Sequence, residues 1–430
     1  MRDVKKFFKD NIVSVVFALI CVGTIIASQQ TPFYLINAVV TRLSRYGILV
    51  FALIIPVTAG LGLNFGLVIG AMCAQASLIF MFHWRIEGLP GLLAAFLIGF
   101  VASIITGWLL GTLFNKTKGQ EMVTGMMTGY FANGIYQLIF LVLIGKVIPM
   151  VDDQLLLSNG IGIRSGVTFS DSTTKAIDNI WKVTFETAMY VVIGAAIAYL
   201  IAKLALQRSR DKRDGRVASY RPQIVRSAII AVAMLAVAVM AKSIPSVDMA
   251  LTMVKVPVVN FIITILVALL VKFLATTKLG QDFRTVGHSQ PIAAAAGINV
   301  DRTRIIATII STVLGCLGQL VMLQSLGNFD TYTAHNNVAL FSIAALLVGG
   351  ASIKKAGIGH GVLGMILFHT LFVVAPYAST NLVGDASVGE YFRTFVSYGV
   401  IAVALVMHAW SSSVKRKSPE AQLRAASEKA

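Results

Sequence analysis

The sequence predicts an all-α, polytopic membrane protein with about 10–12 transmembrane helices, some of them discontinuous. Composition is the first observation behind that reading: 57% of the 430 residues are hydrophobic and 13% are charged. With a mean hydropathy of +0.80, the chain has too little charge to cover the surface of a soluble domain. The second is recurrence: apolar runs of about 20 residues, the length that crosses a hydrocarbon core, repeat along the chain. The third is the lack of the short alternating strands that a membrane β-barrel needs.

The elements follow in order. The first apolar run, Asn11–Ser28, succeeds a basic stretch carrying Arg2, Lys5, Lys6 and Lys9. No small-residue cleavage site follows it, so it reads as a retained span with its N-terminus inside. A polar outer loop is expected over residues 29–46. Gly47–Ala59 and Leu61–Phe82 then form a hydrophobic pair interrupted by Pro56, Gly60, Gly62 and Gly66. Backbone breaks at membrane depth occur where they face protein or a cavity. The pattern leaves open whether this pair crosses fully or dips in and returns.

Spans are expected at Gly91–Phe114 and Met122–Pro149, with a short basic inner loop between them. Residues 150–182, with Asp152, Asp153, Asp171 and Asp178, read as a partly ordered extracytoplasmic loop. Thr184–Leu206 follows, then a basic cytoplasmic loop, 207–226, with seven Lys or Arg. Ser227–Ile244 leads out, Val256–Ala275 returns, and Ile305–Gln324 leads out again. Ala339–Gly349, Val362–Pro376 and Phe392–Trp410 complete the path, and 411–430 is a basic cytoplasmic tail. Of the 36 Lys and Arg, this path places 24 inside, 8 outside and 4 within spans. That threefold excess fits a cytoplasmic membrane protein with both termini inside. It also accounts for the net charge of +17 without nucleic acid, since no basic face with interleaved aromatics lies outside the spans. Some attraction to anionic membrane lipids follows from the same charge.

Between two of the spans lies a polar, basic segment, 276–304, with Lys278, Arg284, Arg302 and Arg304. Within it, Pro291–Ala296 is short and Ala-rich and is closed by Gly297. Proline at the start and glycine just past the end bound a short helix. The plain alternative is a solvated loop. Thr277, Gly280, Arg284, Val286, Gly287, Gly297, Ile298, Asn299 and Val300 form the pattern T-x-x-G-x-x-x-R-x-V-G, ten or so residues, then G-I-N-V. This resembles the cytoplasmic loop of bacterial ABC-importer permeases of the ribose, nucleoside and branched-chain amino acid type. Further on, Gly349, Gly350, Ser352, Gly357, Gly359, Gly361 and Gly364 match that family's G-G-x-S…G-x-G motif. In the N-terminal half, Asn64 and Gly66 resemble its G-L-x-N-I-G, and Glu121, Val123, Met127, Tyr130 and Ala132 resemble a nucleoside-branch stretch.

The resemblance implies an ABC-importer permease fold and a coupling helix that contacts an ATPase through Arg284, Gly287, Pro291, Ala293, Ala294 and Gly297. It implies ATPase subunits that bind ATP and Mg in trans, with no cofactor in this chain. It also implies a second permease subunit, identical or different, and an extracytoplasmic substrate-binding protein. One departure bears on the coupling contact: the family's N-P-E-A-A-R stands here as Ser289-Gln290-Pro291-Ile292-Ala293-Ala294, without its charges. Another is the stretch 207–256, which has no place on the family pattern.

Polar and aromatic residues in the spans, Asn64, Phe65, Gln75, Tyr130, Asn133 and Gln137, are candidates for a substrate path. Their amides and rings suit an uncharged, hydroxylated, ring-bearing solute such as a nucleoside or simple sugar. Riboflavin-like solutes and branched-chain amino acids are the alternatives within the family. For any one of these residues, interhelical hydrogen bonding is the competing role. Glu186 is the one acidic residue well inside a span, which raises a rival: an ion-coupled secondary transporter with Glu186 as its proton site. Its position near the outer boundary favours a snorkelling or paired structural role instead. Cys21, Cys73 and Cys316 lie in apolar runs, and no metal-ligand spacing appears. Enzymatic function is not expected: G-x-x-x-x-G-K-[ST], H-E-x-x-H and G-x-S-x-G are all missing.

Overall fold

A computed structural model describes residues 12–150, 155–213, 221–385, 387–395, 398–399, 401–403 and 406. The tail at 411–430 lies outside the described residues. The chain packs as two compact units. One comprises residues 1–29, 42–180 and 259–430; the other comprises 30–41 and 181–258.

The first unit opens with α1 (Ile12–Ser28). Next comes α2 (Pro32–Ala52), whose second half lies in this unit. The outer loop expected at 29–46 is therefore helix from Pro32 onward. Its arginines do not need bulk water: Arg45 donates from Nε to Ser325 Oγ and from Nη2 to Ser325 O, both at 3.0 Å. Arg42 lies 4.2 Å over the Phe372 ring. A one-and-a-half-turn helix, α3 (Ile54–Thr58), continues the run to the glycine-rich break, and α4 (Leu67–His83) resumes after it. The run from α2 through α3, Pro32–Thr58, has 27 residues, or about 40 Å of helix, enough to cross a bilayer.

Then come α5 (Gly88–Lys116) and α6 (Glu121–Leu138), the latter ending in a π-turn at Ile139–Leu143. Strand β1 (Gly166–Thr168) and helix α7 (Ala176–Ile180) give order to the expected extracytoplasmic loop. After the second unit come α11 (Val258–Thr276), α12 (Lys278–His288), α13 (Gln290–Ala295) and α14 (Val300–Leu326). Strand β4 (Asn328–Asp330), α15 (Val338–Val348) and α16 (Ile358–Val383) follow, and 387–395 is again helical.

Helix α14 is the core of this unit, with 67% of its most apolar window buried against 28% for α5. Its sequence explains why: Ser311, Thr312, Gly315 and Gly318 let neighbouring backbones close in. On α5, Gly99, Ser103, Gly107 and Gly111 recur every fourth residue and are all buried. A Cβ at Gly107 or Gly111 would meet an α14 Cα at 2.9 or 2.8 Å. Gly315 packs on Leu67 and Gly318 on Leu49, the ordinary small-residue packing that the sequence suggested for them. The G-G motif works the same way: a Cβ at Gly364 would lie 1.7 Å from Ala345 O, so α15 and α16 touch backbone to backbone.

At the far end of α14 from the polar segment 276–304, β1 pairs antiparallel with β4, Val167 opposite Phe329. Asp178 of α7 is buried, accepting from Gln324 Nε2 at 2.9 Å and from Asn260 Nδ2. These bonds tie the long loop to the end of α14.

The second unit holds β2 (Lys182–Thr184), α8 (Phe185–Arg213), α9 (Arg221–Ser243), α10 (Pro245–Met253) and β3 (Lys255–Pro257). Strands β2 and β3 pair antiparallel, Val183 opposite Val256. The α9–α10 path bends by 103° at Pro245. Helix covers 207–213 and 221–226 of the expected basic loop, and residues 214–220 lie outside the described residues. The stretch without a place on the family pattern falls in this unit.

Among the described residues, seven helical runs are long and apolar enough to cross a membrane, and three shorter apolar helices, α1, α4 and α15, accompany them. The bent α9–α10 pair makes an eighth if it is one span. The protein is a multi-pass, all-α membrane protein.

Candidate functional site

The polar segment between α11 and α14 is two short helices, not a solvated loop. Thr277 caps α12 by accepting from Gly280 N. Ser289 caps α13 by accepting from Ile292 N, and Pro291 sits in its first turn. Gly297 ends it at φ 79°, a left-handed conformation that favours glycine. The short helix expected at Pro291–Ala296 is thus present as Gln290–Ala295. Ala293 is fully buried, while Pro291, Ile292, Ala294 and Gly297 are exposed. The result is a small knob with an apolar outer face. Arg284 is exposed and donates from Nη2 to Ala275 O at 2.6 Å, closing the turn between α11 and α12.

What the knob rests on decides what it can do. Phe283 and Val286 bury the inner face of α12. On that face Gly287 meets the break after α3. A Cβ on Gly287 would lie 2.2 Å from Thr58 O and 3.0 Å from Gly60 N. Gly60, at φ 76°, would in turn place a Cβ 2.7 Å from Gly287 Cα. The contact is therefore backbone on backbone, with no side chain to give way. Past it, Asn64 holds the break in shape: its Oδ1 accepts from Gly66 N at 2.9 Å and its Nδ2 donates to Ser311 Oγ at 3.2 Å. Asn64 is buried and serves the turn rather than an open path.

A second tie joins the start of α14 to α5 and α6. Arg304 is fully buried, pairs with Glu121 and donates from Nη2 to Phe114 O at 3.1 Å. Glu121 also accepts from Gly119 N at 3.0 Å.

The other candidates gather along α6. Phe65, Tyr130 and Asn133 line a cleft of about 110 Å³ with Gly129, Asn336 and Tyr398. Beneath it lies a polar cluster. His335 is fully buried, with Nδ1 2.5 Å from Gln75 Oε1 and Nε2 2.9 Å from Asn133 Oδ1. Gln137 Nε2 donates to Asn133 Oδ1 at 3.4 Å, and Tyr136 meets the His335 ring edge-on at 5.2 Å. His335 belongs to the turn 331–337, outside the spanning helices. Burial pushes its pKa down to about 4, so the ring is neutral at pH 7. A neutral imidazole donates from one nitrogen only, so one of the two amides must present its NH₂ to the ring. Tyr136 Oη and Gln319 Oε1 are buried without a protein partner. The structure therefore brings Phe65, Gln75, Tyr130, Asn133 and Gln137 into one region and assigns Asn64 elsewhere.

A family profile described as "Branched-chain amino acid transport system / permease component" matches residues 35–405, most of the chain. The chain belongs to this permease family. Among curated relatives, the probable ABC transporter permease protein y4mJ of Sinorhizobium fredii is 30% identical over 156 residues, 36% of this chain and 45% of that protein. The probable ABC transporter permease protein YphD of Escherichia coli is 29% identical over 35% of this chain and 43% of its own length. The xylose transport system permease protein XylH of Escherichia coli is 29% identical over 34% of this chain and 35% of its own. The matched segments thus span less than half of each relative. No solved structure matches this family member.

Within this permease, Glu186 is ion-paired with Lys242 at 2.6 Å, in line with the paired structural role that its position suggested. Sequence reasoning missed His335 and the burial of Arg304. The run His335-Asn336-Asn337 between apolar segments was a usable signal for the first. Arg304 is one of the basic residues that mark segment 276–304 as inward-facing, and only the fold reveals its burial against Glu121.

Proposed function

We propose that this chain is the transmembrane subunit of an ABC importer in a bacterial cytoplasmic membrane. It carries a small, neutral, hydroxylated solute, a pentose-class sugar or nucleoside, and is driven by ATPase subunits on separate chains. The observation that carries this reading is the Gly287–Gly60 contact. It presses the α12–α13 knob onto the break between α3 and α4, and Phe65 of that break lines the cleft. A push on the knob is thereby transmitted to the cleft wall through backbone, without flexible side chains in between.

In this mechanism the exposed faces of Pro291, Ile292 and Ala294 seat in the ATPase, and closure of the ATPase pair on ATP and Mg moves α12. An extracytoplasmic binding protein delivers the solute. The amides of Asn133, Gln75 and Gln137, with neutral His335, offer donors and acceptors but no net charge, which suits a polyol rather than an ion. Tyr130 and Phe65 offer ring faces. A second permease subunit completes the cleft: Met127, Tyr130 and Phe131 on α6 are 60–70% exposed, and 110 Å³ is below the ~300–1,000 Å³ typical of ligand sites. The name of the xylose permease relative favours a pentose. The test is uptake of labelled xylose and of a nucleoside into proteoliposomes holding this chain with its ATPase and binding protein. Uptake that requires ATP hydrolysis supports the proposal. Uptake that continues with a hydrolysis-dead ATPase overturns it.

A further inference from the structure

We propose that the large groove between α11 and α16 is a binding site for an anionic diacyl phospholipid. The groove encloses about 1150 Å³, ten times the α6 cleft, and it borders the α12 contact at Thr58, Arg284 and Gly287 without sharing a residue with the proposed solute cleft. Its walls are apolar: Phe51, Ile265, Leu269, Val362 and Ile366 among others. Ile265, Leu269, Val362 and Ile366 are 43–55% exposed, so the apolar surface is open.

Shape limits the occupant. Along α11 the lining runs from Phe261 to Ala275, about 21 Å at 1.5 Å per residue. That exceeds the ~15 Å hydrocarbon depth of one leaflet, a length suited to acyl chains rather than to a compact polar solute. Charge fixes the other end. Lys272, Arg284, His288, Lys354 and Lys355 also line the groove, and no Asp or Glu does. Among the described residues, none of Lys272, Lys354 and Lys355 is in an ion pair. An occupant with a long apolar body and a negative head complements both parts. The chain's own terminal segments do not: Arg2, Lys5, Lys6 and Lys9 at one end and Lys415, Arg416 and Lys417 at the other repeat the charge of the rim.

The experiment is native mass spectrometry of the full-length chain in detergent, with equal phosphatidylglycerol and phosphatidylcholine of the same acyl composition. Phosphatidylglycerol adducts should exceed phosphatidylcholine adducts by tenfold or more, since each lysine near an anionic head contributes on the order of fivefold. The variant Lys272→Gln/Lys354→Gln/Lys355→Gln should bring the ratio near one while keeping its melting temperature. Ala268→Trp, which fills the groove and leaves the lysines in place, should remove the retained adducts of both lipids. Equal binding of the two lipids by the native chain overturns the proposal. So does a preference that survives the lysine substitutions, or adducts that survive Ala268→Trp. Loss of the preference in excess inorganic phosphate would mean a simple anion site. Displacement of the lipid by the ATPase would assign the groove to that subunit.

Discussion

Replacing Gly287 by alanine isolates the contact through which the coupling knob would act. In an exposed helix the change should help, because alanine is favoured over glycine by about 1 kcal/mol. Here the new methyl would lie 2.2 Å from Thr58 O, and ordinary contact begins near 3.4 Å. The difference, 3.4 − 2.2 = 1.2 Å, must come from moving α12 away from the break, since both partners are backbone. Overpacking of this kind costs about 1–3 kcal/mol, which outweighs the gain in helix propensity. A net strain of about 1.4 kcal/mol corresponds to tenfold in an equilibrium. Gly287→Ala should therefore lower ATP-driven uptake in proteoliposomes about tenfold, with the melting temperature of the isolated chain little changed and the ATPase still bound. Gly194→Ala is the control, because a Cβ there meets nothing within 4 Å and the residue lies outside the cleft. Coupled uptake by Gly287→Ala within twofold of the native chain would refute the backbone-contact argument.

Three further outcomes follow from named contacts. Glu121→Gln should destabilise the chain by about 3–5 kcal/mol, because it leaves the buried Arg304 charge uncompensated, and a melt in detergent reads it. The double change Glu121→Leu/Arg304→Met should recover most of that loss. His335→Ala should raise the KM for uptake and cost about 1–3 kcal/mol, since the Gln75 and Asn133 amides lose a buried partner. A lysine at position 335 that restores uptake would show that charge, not neutral hydrogen bonding, is what the site needs. Gly129→Leu should keep the fold and block the cleft, giving normal melting but uptake near background; unchanged uptake would remove the cleft from the path.

Much of this architecture is written in local patterns. Apolar runs fix the spans, and the Pro291…Gly297 bracket fixes α13 to within a residue, because both signals act over one or two turns. The helical start of α2 at Pro32 was not visible, since Arg42 and Arg45 look like loop charges until Ser325 and Phe372 arrive from elsewhere in the chain. The same distance in sequence hid the roles of Asn64, which bonds Ser311, and Arg304, which pairs with Glu121. His335 sits in a turn that reads as outer loop, and only the pairing of β1 with β4 and the packing of α4 and α6 put it under the cleft. Sequence periodicity locates helices; it does not say which polar group each helix meets.

Cross-linking at the knob tests the central claim most directly. The native cysteines, Cys21, Cys73 and Cys316, are all buried, so a single reporter at Ile292→Cys, on an exposed position, reads the surface contact. With the ATPase and permease assembled in membranes, the account predicts a covalent adduct between residue 292 and the ATPase whose yield changes when ATP binds. An assembled, ATP-hydrolysing complex in which residue 292 stays open to a water-soluble thiol reagent and forms no such adduct would contradict it.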